Sequence, residues 1–160
     1  MHKTKETDTV ISSKKILLDT YIGINKNPVK LNDTLKSKVA LLEFYFVGCP
    51  PCEDKFDYLK ILVDEYSDKG FSVVLICDGI ASSYNQFLDH WNKYKYKNII
   101  FLYDTDKTIS KYRIDGFPTE FLVSSGNIHY REKGFGKSIA TKWLETERIK
   151  IQSLLKNTVK

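Results

Sequence analysis

Two cysteines, Cys49 and Cys52, are separated only by Pro50 and Pro51, and this pair is the part of the sequence with the clearest capacity for chemistry. A close thiol pair can be a stabilising disulfide, half of a zinc site or a redox centre. A disulfide that closes so short a loop removes little entropy from the unfolded chain. The pair would therefore be a poor structural cross-link.

A structural zinc site would require two further ligands, usually from a second close pair. The third cysteine, Cys77, stands alone in an apolar run, and the histidines have no paired spacing: His2, His90 and His129. We therefore interpret the close pair as a redox centre, and we expect no metal and no cofactor beyond the disulfide itself. Cys77 is expected to be an inert, buried thiol.

The flanking sequence predicts how the pair is positioned. Residues 39–47 form a nearly continuous apolar run, which is typical of a strand buried on both faces. Pro50 and Pro51 follow, and proline is tolerated in the first turn of a helix. Apolar residues then recur every three or four positions until Gly70, a helix stop. The cysteines are therefore predicted to lie at a strand-to-helix turn.

This position has consequences for reactivity. The amino end of a helix favours negative charge and therefore the reactive thiolate. Cys49 lies just before the helix and Cys52 one turn inside it, so we expect Cys49 to be exposed with a low pKa and Cys52 to be recessed. Cys49 would then attack a target disulfide, and Cys52 would resolve the mixed disulfide. Pro50 and Pro51 stiffen the loop and remove two N–H groups near the thiolate.

The remaining patterns predict an α/β domain. An amino-terminal β-hairpin is expected within residues 15–38, further strands at 71–77, 98–104, 117–123 and 127–135, and helices at 107–114 and 137–156. Ser83 and Gln86 form a capping-box pattern for one more helix. The sum is a three-layer sandwich in which a mixed central sheet of about five strands, parallel in the middle, has helices on both faces.

Length and composition are consistent with this fold. The chain has 160 residues, of which 42% are hydrophobic and 28% charged, which suits one globular domain. We expect a flexible tether at residues 1–14, a domain at 15–160 and a monomeric protein. The net charge of +5 comes from dispersed lysines, and the run at 93–97 is interpreted as a helix end with solvated lysines rather than a nucleic-acid site.

No apolar run approaches the roughly 20 residues of a membrane span, and no secretory segment is visible. We therefore expect an extracytoplasmic protein, either periplasmic or membrane-anchored and facing outward, if a targeting segment was removed before Met1, and a cytoplasmic protein otherwise.

Three segments together resemble a known family: "VKLNDTLKSKVALLEF", "LLEFYFVGCPPC" and "YRIDGFPTEFLVSSGNI". They are similar to the TlpA/ResA-type thiol–disulfide oxidoreductases of the thioredoxin superfamily, near the AhpC/TSA group, over residues 15–155. The resemblance implies a thioredoxin-like fold and a reductase of protein disulfides. It also implies an upstream electron-donor protein, an extracytoplasmic location and a membrane tether that precedes this sequence.

The resemblance also assigns site residues. Pro118 matches the family's cis-proline, which would turn the backbone of Phe117 toward an extended substrate segment. Gly48 stands where many relatives have tryptophan, so one side of Cys49 should be less covered. Gly48, with the two prolines of the motif, is expected to line the docking surface.

Glu43 lies six residues before Cys49, where many thioredoxins have a buried acid. A carboxyl group in an apolar strand requires an explanation. It is either a group of raised pKa that exchanges a proton with Cys52, or a strand-end glutamate that reaches solvent or pairs with a lysine. We favour the first role. The alternative to an enzyme as a whole is a binding module, either redox-silent or stabilised by zinc.

Overall fold

The computed structural model describes residues 16–35, 37–105 and 107–157. The tether predicted for residues 1–14 lies outside these ranges. The described part of the chain forms one mixed sheet with the strand order β2-β1-β5-β4-β3-β6-β7. The strands are β1 (Thr20–Ile22), β2 (Pro28–Lys30), β3 (Val39–Tyr45), β4 (Phe71–Asp78), β5 (Ile99–Asp104), β6 (Thr119–Ser124) and β7 (Asn127–Lys133).

The predicted count of about five strands was too low. The amino-terminal hairpin of β1 and β2, which was predicted, joins the main sheet because β1 pairs antiparallel with β5. The centre of the sheet is parallel, with β3 beside β4 and β4 beside β5. β6 and β7 continue antiparallel at the other edge, as predicted.

The helices are α1 (Leu31–Thr34), α2 (Pro50–Tyr66), α3 (Tyr84–Tyr94), α4 (Thr108–Lys111) and α5 (Ala140–Asn157). Apolar residues of α2, α3 and α5 pack on one face of the sheet, and those of α1 and α4 pack on the other. The predicted three-layer sandwich is therefore confirmed. Ser83 and Gln86 form the predicted capping box, which satisfies two free N–H groups at the start of α3.

Strand β3 lies at the centre of both cores. All seven of its residues are buried, as its continuous apolar run predicts. Because side chains alternate along a strand, Leu41 and Tyr45 belong to the core beneath α2, and Leu42 and Phe44 to the opposite core. Glu43 shares the face of Leu41 and Tyr45. The first turn of α2 lies over that face.

Two surface predictions concern the run at 93–97 and membrane spans. The lysines of that run are exposed, and its two tyrosines are half-buried, as expected of a helix end. No helix in the described ranges combines the length and the apolar character needed to cross a bilayer.

Candidate active site

The close cysteine pair lies at the junction of β3 and α2, as predicted. Cys49 is the N-cap of α2, in extended backbone conformation, and Pro50 and Pro51 occupy its first helical positions. The Glu53 N–H donates the first helical hydrogen bond to the Cys49 carbonyl at 3.0 Å. The two sulfurs form a disulfide, with the Cα atoms 5.2 Å apart. The structure therefore holds this cysteine pair in its oxidised form at a helix amino terminus.

The exposure expected for Cys49 is wrong for this oxidised form. Cys49 is 2% exposed and Cys52 is fully buried, and both belong to the core beneath α2. The reason is that the bond to the recessed Cys52 directs the Cys49 sulfur inward. Exposed groups surround the disulfide instead, since Gly48 and Pro50 are exposed and Pro51 is half-buried.

Gly48 leaves the approach to the pair open. Its φ of +87° lies in the left-handed region, which glycine adopts at little cost. A Cβ atom placed there would find no heavy atom within 4 Å outside its chain neighbours. The expectation that this side of the site is less covered therefore agrees with the space around Gly48.

The start of β6 comes to the same edge of the sheet. Phe44 of β3 pairs with Thr119, the first residue of β6, so the preceding Phe117 and Pro118 lie beside the segment that leads to Cys49. The Phe117–Pro118 peptide bond is cis. The rings of Phe46 and Phe117 pack edge to face with centroids 5.3 Å apart, and both are half-buried. The structure thus brings half-buried Phe117 and buried Pro118 beside the segment that leads to Cys49.

The third cysteine lies behind the same loop. Cys77 lies opposite Tyr45, one residue before the end of β4, and its side chain is fully buried. Burial raises the pKa of the Cys77 thiol to about 12, against hydrogen bonds with Ser82 and Tyr45. Ser82 also accepts a hydrogen bond from the Val47 N–H at 2.9 Å. This bond connects the loop between β4 and α3 to the loop between β3 and α2, which carries Cys49. A thiol held in its neutral form agrees with the inert role predicted for Cys77.

Glu43 is buried, and it pairs with a lysine. Its carboxylate lies 2.9 Å from the ammonium of Lys55, which is 1% exposed and lies one turn after Cys52 on the same face of α2. Burial raises the pKa of Glu43 to about 7, against the attraction of Lys55 and with a further increase from the nearby Glu120. Features of both alternatives for Glu43 therefore occur together: a raised pKa and a lysine partner.

Lys55 contacts two carboxylates at once. It lies 3.2 Å from Glu120 of β6, which pairs with Glu43 across the sheet and points to the same face. Although burial opposes its charge, contact with Glu43 and Glu120 raises the pKa of Lys55 above its usual range. The indole N–H of Trp143 donates to Glu120 at 2.8 Å. The site therefore includes a buried cluster of one lysine and two glutamates.

Our interpretation of the sequence missed Lys55 and Glu120. A signal for Lys55 was present, because its position continues the stripe of Cys52, Phe56 and Leu59 on α2. No comparable signal existed for Glu120, whose relation to Glu43 depends on the register of β3 against β6.

A second buried polar group lies on α3. His90 is 4% exposed, and its Nδ1 atom lies 3.0 Å from the Tyr45 hydroxyl. Its Nε2 atom lies 3.8 Å from Glu53 of α2. Burial lowers the pKa of His90 to about 4, against the attraction of Glu53. The imidazole is therefore neutral at physiological pH and packs as part of an aromatic cluster with Phe56 and Tyr45.

The described residues bring three acidic groups close enough to hold a metal ion: Glu120, Glu132 and Glu147, whose oxygens lie within 4.8 Å of one another. Two lysines already contact this group: Lys55 contacts Glu120, and Lys150 contacts Glu132 at 2.6 Å and Glu147 at 3.4 Å. We assign no metal to it.

Comparison with known proteins places this geometry in a family. The sequence profile of the Redoxin family matches residues 12–140. The thiol-disulfide oxidoreductase ResA of Oceanobacillus iheyensis is 28% identical over 104 residues, which is 62% of this chain and 50% of that protein. The ResA of Bacillus anthracis is 29% identical over 96 residues. The chain thus spans about half the length of these curated relatives.

Solved structures show the same fold. The thioredoxin domain of a thiol-disulfide oxidoreductase from Bacteroides vulgatus is 28% identical with a TM-score of 0.63, covering 80% of this chain and 91% of its own. A thiol:disulfide interchange protein from Bacteroides sp. is 28% identical with a TM-score of 0.62, covering 79% and 83%. The fold is therefore thioredoxin-like, and the resemblance to the TlpA/ResA type is confirmed. The chain belongs to the Redoxin family.

Proposed function

We propose that this protein is a thiol–disulfide oxidoreductase that reduces disulfides in other proteins. The observation that carries the proposal is the Cys49–Cys52 disulfide at the amino terminus of α2. A helix start stabilises the thiolate that disulfide exchange requires, and a two-residue spacing lets the same sulfurs open and close repeatedly. The chemistry needs no group beyond these two sulfurs.

In the proposed reaction the reduced protein acts in two steps. The Cys49 thiolate attacks one sulfur of the target disulfide, and the other target sulfur leaves as a thiolate. Cys52 then loses its proton and attacks the Cys49 sulfur, which releases the second target thiolate and closes the Cys49–Cys52 disulfide. Two electrons pass to the target, and an upstream donor protein must supply two more to reopen the disulfide.

Glu43 is the proposed acceptor of the Cys52 proton. It lies under the turn of α2 that carries Cys52 and Lys55, and its carboxyl group is fully buried. A group with a pKa near neutrality can take a proton and return it at physiological pH. The transfer would run directly or through one water molecule.

We assign substrate docking to the segment before α2 and the segment before β6, which lie at the same edge of the sheet. Gly48, Pro50, Pro51 and Phe117 would contact the substrate, and Pro118, which is buried, would hold the backbone of Phe117 in place. The backbone of Phe117 would pair with an extended segment next to the target cysteine. The half-buried rings of Phe46 and Phe117 would contact an apolar side chain of that segment.

Insulin reduction tests the proposal directly. We expect Cys49→Ser to abolish activity, because it removes the attacking sulfur. Cys52→Ser should instead trap mixed disulfides that are visible without reductant, because it removes the resolving sulfur. Cys77→Ser is the matched control, and it should retain activity. Wild-type turnover in Cys49→Ser would eliminate the proposal.

The direction of electron flow needs its own measurement. Thioredoxin-fold proteins span reduction potentials from about −270 to about −120 mV. Equilibration with glutathione should place this protein toward the reducing end. A potential near the oxidising end would make it an oxidase of thiols. A free-thiol count and metal analysis of the purified protein would detect the alternative, a redox-silent or zinc-stabilised binding module.

We further propose that the protein works outside the cytoplasm as a monomer, with a tether or targeting segment in its native gene. Disulfide chemistry of this kind serves oxidising compartments, where target disulfides form. Fractionation of cells that express the native gene, followed by size-exclusion chromatography, tests both statements. A cytoplasmic pool or a stable dimer would contradict them.

A further inference from the structure

The buried cluster contains more acid than its central lysine can neutralise. Lys55 lies 2.9 Å from Glu43 and 3.2 Å from Glu120, and all three side chains are at most 3% exposed. One ammonium can balance one carboxylate. Two buried carboxylates that share it cannot both stay ionised without a large cost, so one of them holds a proton over part of the neutral pH range.

Hydrogen bonding decides which carboxyl group carries the charge. Glu120 accepts two donors on one oxygen, the Lys55 ammonium and the Trp143 indole N–H. Among the described residues Glu43 is contacted by the Lys55 ammonium alone, which lies 3.1 Å from its Oε1 atom and 2.9 Å from its Oε2 atom. Donors stabilise the ionised form. Because Glu120 has this additional donor, Glu43 is the carboxyl group of the pair that takes up and releases a proton near neutral pH.

We propose that Glu120 is a positioning residue that, by sharing the Lys55 ammonium, keeps Glu43 as the carboxyl group that exchanges the Cys52 proton. This inference rests on the proposed function. Without Glu120, Lys55 would pair with Glu43 alone. Glu43 would then be a permanently ionised and much weaker proton acceptor.

Other charged groups also lie around Glu43. Those in the cluster come from α2, β6, β7 and α5: Lys55, Glu120, Glu132, Glu147 and Lys150. Glu132 is 41% exposed at its side chain, so solvent screens it. Burial raises the pKa of Glu147 to about 8, so this carboxyl group is largely neutral near pH 7. Glu120 is the buried acid that shares the lysine with Glu43.

The test is a pH titration of the Glu43 carboxyl group, monitored by NMR of protein labelled with ¹³C in its glutamate carboxyl groups. The Glu43→Gln variant, which lacks the signal of Glu43, assigns it. Glu120→Gln removes one carboxylate but keeps the shape of the side chain. We expect the Glu43 midpoint to fall by about one pH unit or more, because Lys55 then acts on Glu43 alone. Glu147→Gln, the matched control in the same cluster, should leave the midpoint in place.

The pH dependence of the reaction rate gives a second measurement of the same proton transfer. The rate at which Cys52 releases a target from the Cys49 mixed disulfide should rise with pH as Glu43 ionises. In Glu120→Gln this profile should shift to lower pH together with the NMR midpoint. If Glu120→Gln does not fold, Trp143→Phe takes its place. It removes one donor to Glu120, so it should shift the Glu43 midpoint in the same direction.

An unchanged Glu43 midpoint in Glu120→Gln, or in Trp143→Phe where only that variant folds, would overturn the inference. So would an equal shift in Glu147→Gln. Failure of the proposed function would look different. The wild-type protein would then not reduce insulin, whereas the Glu43 titration can be measured without turnover.

Discussion

Replacement of Lys55 by methionine tests the buried cluster through stability. Methionine keeps most of the apolar stem, so the change removes mainly the charge. Lys55 is 1% exposed and contacts two carboxylates that are almost completely buried. Loss of one partner from a buried ion pair costs about 3–5 kcal/mol, because the remaining charge stays without compensation. We expect a loss of this size in the free energy of unfolding at pH 8.

The loss should depend on pH. Without Lys55, the folded-state pKa of Glu43 rises further above its unfolded value. An acid shifted in this direction contributes stability that is present at low pH and is lost as pH rises through the folded pKa. The difference between wild type and Lys55→Met should therefore be smaller at pH 5 than at pH 8. Addition of Glu43→Gln to Lys55→Met should recover part of the loss at pH 8.

Urea unfolding at the two pH values, followed by circular dichroism, measures both effects. Lys60→Met is the matched control on the same helix. Lys60 pairs with Asp64 at 2.7 Å, but the side chains are 41% and 54% exposed. Exposed pairs of this spacing contribute about 0.3–0.5 kcal/mol. Equal losses in Lys55→Met and Lys60→Met would refute the argument that burial makes the cluster energetically important.

Three further predictions follow from other parts of the structure. Gly79→Ala should lower the free energy of unfolding by about 1–3 kcal/mol, because the added Cβ atom would lie 2.0 Å from the Asp104 carbonyl oxygen. Gly136→Ala is the control and should be nearly neutral, because the heavy atom nearest to its Cβ would be 3.9 Å away. Ser83→Ala should cost about 1 kcal/mol by removing the α3 cap, measured by urea unfolding. His90, whose pKa burial lowers to about 4, contributes stability above pH 6.5 that is lost as pH falls toward 4. His90→Asn should therefore flatten the acid side of the stability profile, and an unchanged slope would contradict this reasoning.

Much of the fold was predictable because its signals are local. The apolar run at 39–47 predicted a doubly buried strand, and β3 is buried along its whole length. Prolines followed by a three- and four-residue apolar repeat predicted α2, which begins at Pro50. That the amino-terminal hairpin belongs to the main sheet was not predictable in this way. The hairpin of β1 and β2 joins the main sheet through pairing with β5, a contact between distant parts of the chain.

The same distinction, between local signals and contacts of distant residues, applies to the active site. The sequence by itself determined that Cys49 and Cys52 form a pair at a helix start, since spacing and proline placement are properties of neighbouring residues. Only the tertiary structure decided that the Cys49 sulfur is buried in the oxidised form, and that Glu43 shares Lys55 with Glu120. The burial and pairing of a charge depend on which strands and helices meet. That is set by the register of β3 against β6 and by the packing of α2 on the sheet.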